Sequence, residues 1–466
     1  MSAFKLHTLK QKLWTIVAAS FVARVVMFFA LPNTPSSLAP DEGTYASLAK
    51  WVSESKPASD FPIFGGGLYL SSRSVIIPAS IPIKFGMNEL DAVRVTSSIY
   101  GFLALCILAL FCSKLVGFLP TGVESKKKNE HLVVILLLIY AFLPSHFVWS
   151  NLALRESPNE FWLITSFLGV CLLYRKEQQN KTLFAALVSI SIIFTFSSRP
   201  QVGWVLVVTL LIYSLFKLRN KLTYILITSI FIGLFVGYVA TTSFVEVTSD
   251  VYVAKNSTTT SIDASKLCDG TKVKVEFKGE AYNCVKSGTI TTRERTSNIA
   301  EVAIDQVEAL PVKQIANQVG AASMIQRLDC PLNESSEIGK YGCLAYRAPY
   351  MTLTFLFRPL PFIDTTSLSS VFAAAENTLW ILMFALIAYR IYKLKRIPFI
   401  GKIGPAVIFL SLYSVGAGSY EGNMGTAFRH KSLILWIVLI LLLALFWPHD
   451  ADSKESKGNN SQESAV

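Results

Sequence analysis

The chain has 466 residues, of which 52% are apolar and only 16% charged, with a formal net charge of +12. A soluble protein of this length carries roughly a quarter charged residues, so the composition excludes an ordinary soluble fold. The basic excess lies in short segments at alternate ends of apolar blocks, where it reports membrane topology rather than a nucleic-acid partner.

The apolar blocks are about twenty residues long, the length that crosses ~30 Å of hydrocarbon. They fall at 13–31, 94–118, 132–150, 159–174, 182–198, 201–217, 222–242, 370–392, 402–420 and 431–447. Lys5, Lys10 and Lys12 precede the first run, and no small-residue cleavage site closes it. It therefore reads as a membrane helix with the N-terminus in the cytoplasm. The basic turns then alternate as the positive-inside bias requires. They are Lys126-Lys127-Lys128, Arg175-Lys176 with Lys181, Lys217 with Arg219 and Lys221, and Arg390 to Lys402. About ten transmembrane helices bring the C-terminus back to the cytoplasm.

This reading divides the chain into a seven-helix membrane module (1–242), a large extracytoplasmic loop (243–369), a three-helix membrane segment (370–447) and a polar tail (448–466) expected to be disordered. The first outer loop, 32–93, carries Pro-rich and Gly-rich stretches and amphipathic helices. In the large loop, TKVKVEF alternates as a strand does, and Ser297 to Leu328 has helical amphipathicity. Cys106, Cys112 and Cys171 lie in apolar runs as packing residues. Cys268, Cys284, Cys330 and Cys343 all lie in the large loop and suggest disulfides in an oxidising compartment. Proximity pairs Cys268 with Cys284 and Cys330 with Cys343, although four cysteines allow three connectivities. Neither a CxxC spacing nor a nearby His supports a metal site instead.

The most informative local feature is PDEGTYASLAKWV at 40–52. Asp41 and Glu42 follow the first span and lead into a short amphipathic helix. Such a pair suits a helix N-terminus. It also suits a divalent cation, Mg²⁺ or Mn²⁺, with Glu156 as a further ligand, or a general base.

Downstream come KFGMNELDAVRVTSSIYGFLALCIL (84–108) and FLPSHFVWSNLALRESPNEFWLI (142–164), which holds Arg155, Glu156 and Glu160 in an outer turn. Taken in order, these segments resemble bacterial GT-C membrane glycosyltransferases, the group that includes protein mannosyltransferases and aminoarabinose transferases. The resemblance covers roughly 10–245 in pattern and the rest in layout. It departs at SRSVIIPASIPIKFG, where relatives carry His-Pro-Pro, and at Glu156 and Glu160, where relatives often carry Asp. Those departures leave donor identity and metal dependence open.

The resemblance implies an all-α polytopic, GT-C-like protein with a mixed α/β, disulfide-bearing extracytoplasmic loop, in the cell (plasma or inner) membrane. It implies an inverting transfer of a sugar from a polyprenyl-phosphate carrier to a glycan, lipid or protein acceptor on the outer face. Asp41 would be the base on the acceptor hydroxyl, with Glu42 and Glu156 as further catalytic candidates. The leaving phosphate develops negative charge, which the planar fork of arginine matches. The candidates for carrier-phosphate contact are Arg155, Arg199, Arg358, Arg429 and the adjoining His430. For any one of these arginines the commoner role is that of an interfacial or helix-end residue. Arg24, deep in the first span, needs a partner or a cavity, and Glu376 is one candidate. His146 reads as a hydrogen-bonded core histidine. Two other functions fit many spans and outward arginines: an O-antigen-type polymerase or ligase, and a lipid or glycolipid transporter or flippase. The first needs no acidic base after span one. The second is expected to show broken helices and mid-membrane charges.

Overall fold

The computed structural model describes residues 9–36, 39, 41–57, 68–69, 71–116, 123–175, 180–218, 220–242, 274–277, 280–283, 337–364, 368–395, 400–420 and 424–446. Within them the chain is almost wholly helical. Helices α1 (Leu9–Ala30), α2 (Asp41–Ser53), α3 (Arg73–Lys84) and α4 (Glu89–Val116) come first. Then follow α5 (Val123–Phe142), α6 (Pro144–Trp149), α7 (Glu156–Leu173), α8 (Lys181–Ser198), α9 (Pro200–Leu215) and α10 (Lys221–Thr242). After the hairpin β1 (Lys274–Phe277) and β2 (Glu280–Asn283) come α11 (Glu337–Phe357), α12 (Leu368–Leu394), α13 (Ile400–Tyr420), α14 (Met424–Lys431) and α15 (Leu435–Phe446).

Among the described residues, five helical segments are long and apolar enough to cross a membrane: Leu9–Ala30, Glu89–Ser113, Lys181–Ser198, Ser370–Leu394 and Gly425–Phe446. Each of the other apolar runs also falls on a helix, shorter or more polar. Phe21, Val22, Val25, Val26 and Phe29 of α1 are exposed, as are Phe372, Leu379 and Leu382 of α12. Such apolar faces suit a bilayer, where the helix satisfies its own backbone polar groups. The inner core is continuous, and Leu435 to Leu445 of α15 are buried all round. A helix apolar on every side belongs in such a position.

A second core lies beside the first. Tyr45, Leu48, Val75, Ile76, Ala79, Leu90, Val93, Leu152 and Leu154 join α2 and α3 to the start of α4 and the turn before α7. The amphipathic helices expected after span one thus pack as a small platform, and this platform positions the candidate site.

Three sequence expectations need correction. The run 132–150 is not one helix: α5 ends at Phe142 and Pro144 starts the separate α6. A proline has no N–H to continue the ladder and suits a first helical turn. Glu376 does not pair with Arg24. It lies at the start of α6, accepting from the Ser145 amide at 2.7 Å and from the Ser145 hydroxyl, where a carboxylate complements the helix dipole. Arg24 instead donates to Ser150 Oγ at 2.7 Å and faces the Phe147 ring. Finally, the described part of the large loop contains the helix α11, which the sequence reading did not place.

The strand expected in TKVKVEF is present as β1, paired antiparallel with β2 from Lys274↔Asn283 to Phe277↔Glu280. The helix expected at 297–328 lies outside the described residues, as do Cys268, Cys284 and Cys330. Cys343 falls in α11, and the proposed disulfides lie outside what is described. Cys106 and Cys112 are free thiols.

Candidate functional site

Asp41 and Glu42 open α2, where acidic side chains favour the N-terminal dipole. Successive residues on a helix point about 100° apart, so the two carboxylates go separate ways. Glu42 turns inward and is fully buried. Its Oε1 accepts from Arg94 Nε at 3.0 Å and the Ala153 amide at 2.7 Å. Its Oε2 accepts from Arg94 Nη2 at 2.8 Å and the Ser36 amide at 2.7 Å. Arg94 also donates to the carbonyls of Pro32 and Thr34. These donors fill the lone pairs of Glu42. Its expected catalytic or metal role is therefore corrected: it fastens α2, α4 and the 32–36 and 153 segments together.

Asp41 turns outward. Its side chain is 51% exposed, and Oδ2 lies 3.2 Å from Arg429 Nη1. Arg429 belongs to α14 and reaches from Asp41 to Glu156, whose Oε1 is 3.1 Å from Arg429 Nε. The same Oε1 accepts from Arg199 Nη2 at 2.8 Å and lies 3.7 Å from His430 Nε2. Arg199 sits at the turn joining α8 to α9, held extended ahead of Pro200. Arg155 is the residue before α7, and its Nη1 donates to Ser71 O at 3.2 Å and Ser71 Oγ at 3.0 Å.

Glu156 is buried, and burial pushes its carboxyl upward. Arg429, Arg199 and Arg155 outweigh that and hold it below the ordinary carboxylate range. It is thus an ionised counter-charge that orients arginines. Its contacts with Arg199 and Arg429 suit a positioning role beside the catalytic one expected of it. Arg155, Arg199 and Arg429 together exceed the negative charge of Glu156 and Asp41 by one, so the cluster is a buried cationic site with a half-exposed carboxylate at its rim.

The structure brings together Asp41, Glu156, Arg155, Arg199, Arg429 and His430. It does not bring Arg358 to them. Arg358 Nε donates to Asp364 Oδ2 at 2.9 Å and its Nη2 to Asp364 Oδ1, so its charge is matched within its own loop. Among the described residues, no three His, Cys, Asp or Glu side chains gather as a metal ligand set. Glu42 is occupied by Arg94, while Asp41 and Glu156 each face Arg429. These residues do not fit a cation held by the three carboxylates. His146 is the buried core histidine expected, its Nε2 2.8 Å from Glu160 Oε2.

Two site-building residues were missed. Arg94 stands among apolar residues in the approach to the second span, and its depth was the available signal. Lys431 is fully buried and donates to the carbonyls of Leu356 and Arg358, each at 3.1 Å, and to Asn377. Its signal was the basic run Arg429-His430-Lys431 at the start of a long apolar helical segment. No family model matches the chain, and no curated protein or solved structure matches it.

Proposed function

We propose that the chain is a GT-C-like membrane glycosyltransferase that takes a sugar from a polyprenyl-phosphate carrier and passes it, with inversion, to an envelope acceptor. In this reading about ten spans cross the cell membrane, both termini are cytoplasmic, and the platform of α2 and α3 lies at the outer face. The observation that carries the proposal is the Asp41–Arg429–Glu156–Arg199 constellation: a half-exposed carboxylate beside buried guanidinium groups.

Each part has a role that follows from its surroundings. Asp41 takes the proton of the acceptor hydroxyl as that oxygen bonds to the anomeric carbon. The bond from that carbon to the phosphate oxygen breaks, and its electron pair leaves with the lipid phosphate. Arg199 and Arg429 stabilise the charge that develops there, in a site where burial strengthens each interaction. Glu156 keeps both forks in place beforehand, so little reorganisation is needed during reaction. Arg155 adds charge from the α7 side.

Replacing Arg429 by Lys tests this reading, because it keeps the positive charge beside Glu156 but removes the planar fork. Transfer of labelled sugar from the lipid-linked pool in membrane vesicles should fall roughly 10- to 100-fold, the worth of one charge-assisted hydrogen bond. Wild-type transfer by Arg429→Lys would leave the carrier assignment without support.

A further inference from the structure

The turn that follows α11 plays no part in sugar transfer, yet its construction is unusual for a loop. α11 lies antiparallel to α13: the Met351 carbonyl rests against Gly418, and Phe355 meets Tyr413. Each step toward the end of α11 is therefore a step away from the α13 terminus at Tyr420. Beyond Phe357 the chain meets Asn377 of α12 and Lys431 at the end of α14. Asn377 lies seven residues past Ser370 and Lys431 six past Gly425, where two membrane-length apolar segments begin. Tyr413 lies seven residues before Tyr420. At 1.5 Å per residue, all three neighbours stand about 10 Å inside the ends of their segments.

A turn at that depth needs its backbone polar groups paired within the protein, because hydrocarbon offers them no partner. Lys431 donates to the carbonyls of Leu356 and Arg358. Asn377 donates to those of Phe357 and Pro359. The end of α11 is thus capped by side chains, with a cation where the helix dipole favours one. Pro359 and Pro361 have no N–H to satisfy, and the Leu360 amide donates to Asp364 Oδ2. Asp364 also matches the charge of Arg358. Phe362 and Ile363, by contrast, are turned out of the protein. Polar groups inward and large apolar side chains outward is the reverse of a loop that faces water.

Resting on the membrane spans of the proposed reading, and not on its chemistry, we infer that the end of α11 and the turn 358–364 re-enter the outer leaflet. There Phe362 and Ile363 contact lipid acyl chains, continuing the exposed apolar face of α12 that Phe372 and Leu379 carry. Tyr350 is exposed and lies seven residues before Phe357, which places it about 10 Å higher, at the membrane boundary that tyrosine favours. Tyr346, a further turn along, stands in water.

The full chain, carrying one fluorescent amino acid introduced by codon suppression, is reconstituted in phosphatidylcholine vesicles. The labelled positions are Phe362, Leu379 and Tyr346, one per preparation. Two quenchers are compared: aqueous iodide, and a phospholipid with a nitroxide midway along its acyl chain. At Phe362 the lipid quencher should act within about twofold of its effect at Leu379, and iodide about fivefold or more weakly than at Tyr346, because an ion does not enter hydrocarbon. Ile363 carries the test if a label at Phe362 lowers the yield of folded chain. Iodide quenching at Phe362 equal to that at Tyr346, with Leu379 still reached only by the lipid quencher, overturns the inference and leaves the spans standing. Iodide quenching of Leu379 as well overturns both.

Discussion

At the scale of single residues, the Glu42–Arg94 pair shows how a carboxylate beside a candidate base can serve the fold alone. Both groups are buried, and every oxygen lone pair of Glu42 faces a donor. Removing one member strands the other charge, at a cost of about 3–5 kcal/mol. Glu42→Ala should therefore lower the thermal unfolding temperature sharply. The paired substitution Glu42→Leu with Arg94→Met should recover only part of the loss, since it removes the stranded charge but takes these partners from the Ser36 and Ala153 amides and the Pro32 and Thr34 carbonyls. A Glu42→Ala protein that unfolds at the wild-type temperature would contradict the structural role. Asp41 is the opposite case: its pair with Arg429 is half in solvent, where such bridges contribute about 1 kcal/mol or less.

At the scale of elements, the described turn 358–364 after α11 is held by polar contacts, with Lys431 donating to the Arg358 carbonyl and Asn377 to the Pro359 carbonyl. Phe362 is 98% exposed and Ile363 70% exposed, so few apolar contacts fix this turn. Asp364 does so instead, accepting from Arg358 and from the Leu360 amide at 2.7 Å. Its hydrogen bonds to Arg358 hold its carboxyl below the ordinary range. A carboxyl depressed in the folded state contributes stability that is full above its unfolded value, about 3.9, and that is lost as pH falls through the folded value. Amide exchange over 358–364, corrected for intrinsic rates, should therefore show less protection at about pH 2 than at about pH 5. Asp364→Asn should show the lower protection at both. Equal protection at both pH values in the wild type would show that packing, not this ion pair, fixes the turn.

At the scale of the whole molecule, helices were legible and partners were not. Block length led to helices at the expected apolar runs, with 132–150 split into two, because apolar runs of that length favour a helix locally. The break at Pro144 was visible in composition but hidden by the apolar run around it. Arg94 meets Glu42 across 52 positions, and no periodic pattern encodes that meeting. Lys431 and Glu376 were likewise unreadable as partners of carbonyls and a helix start, since those acceptors and donors exist only once the chain is folded. Asp41, Glu156, Arg199 and Arg429 could be chosen by residue type and predicted side, but their convergence through Glu156 could not. Arg358 satisfied the same criteria and proved to be matched by a neighbour six residues away.

The central claim is that Asp41 acts as the base at a buried arginine cluster, and Asp41→Asn tests it most directly. Loss of its exposed pair should leave folding and membrane insertion intact, so any effect reports chemistry. The measurement is transfer of labelled sugar from the endogenous lipid-linked pool to envelope acceptor, in vesicles matched for chain content. Removal of a general base predicts a fall of about 10²- to 10⁴-fold. Full transfer by the folded Asp41→Asn chain would contradict the account and favour a polymerase or ligase that needs no such base.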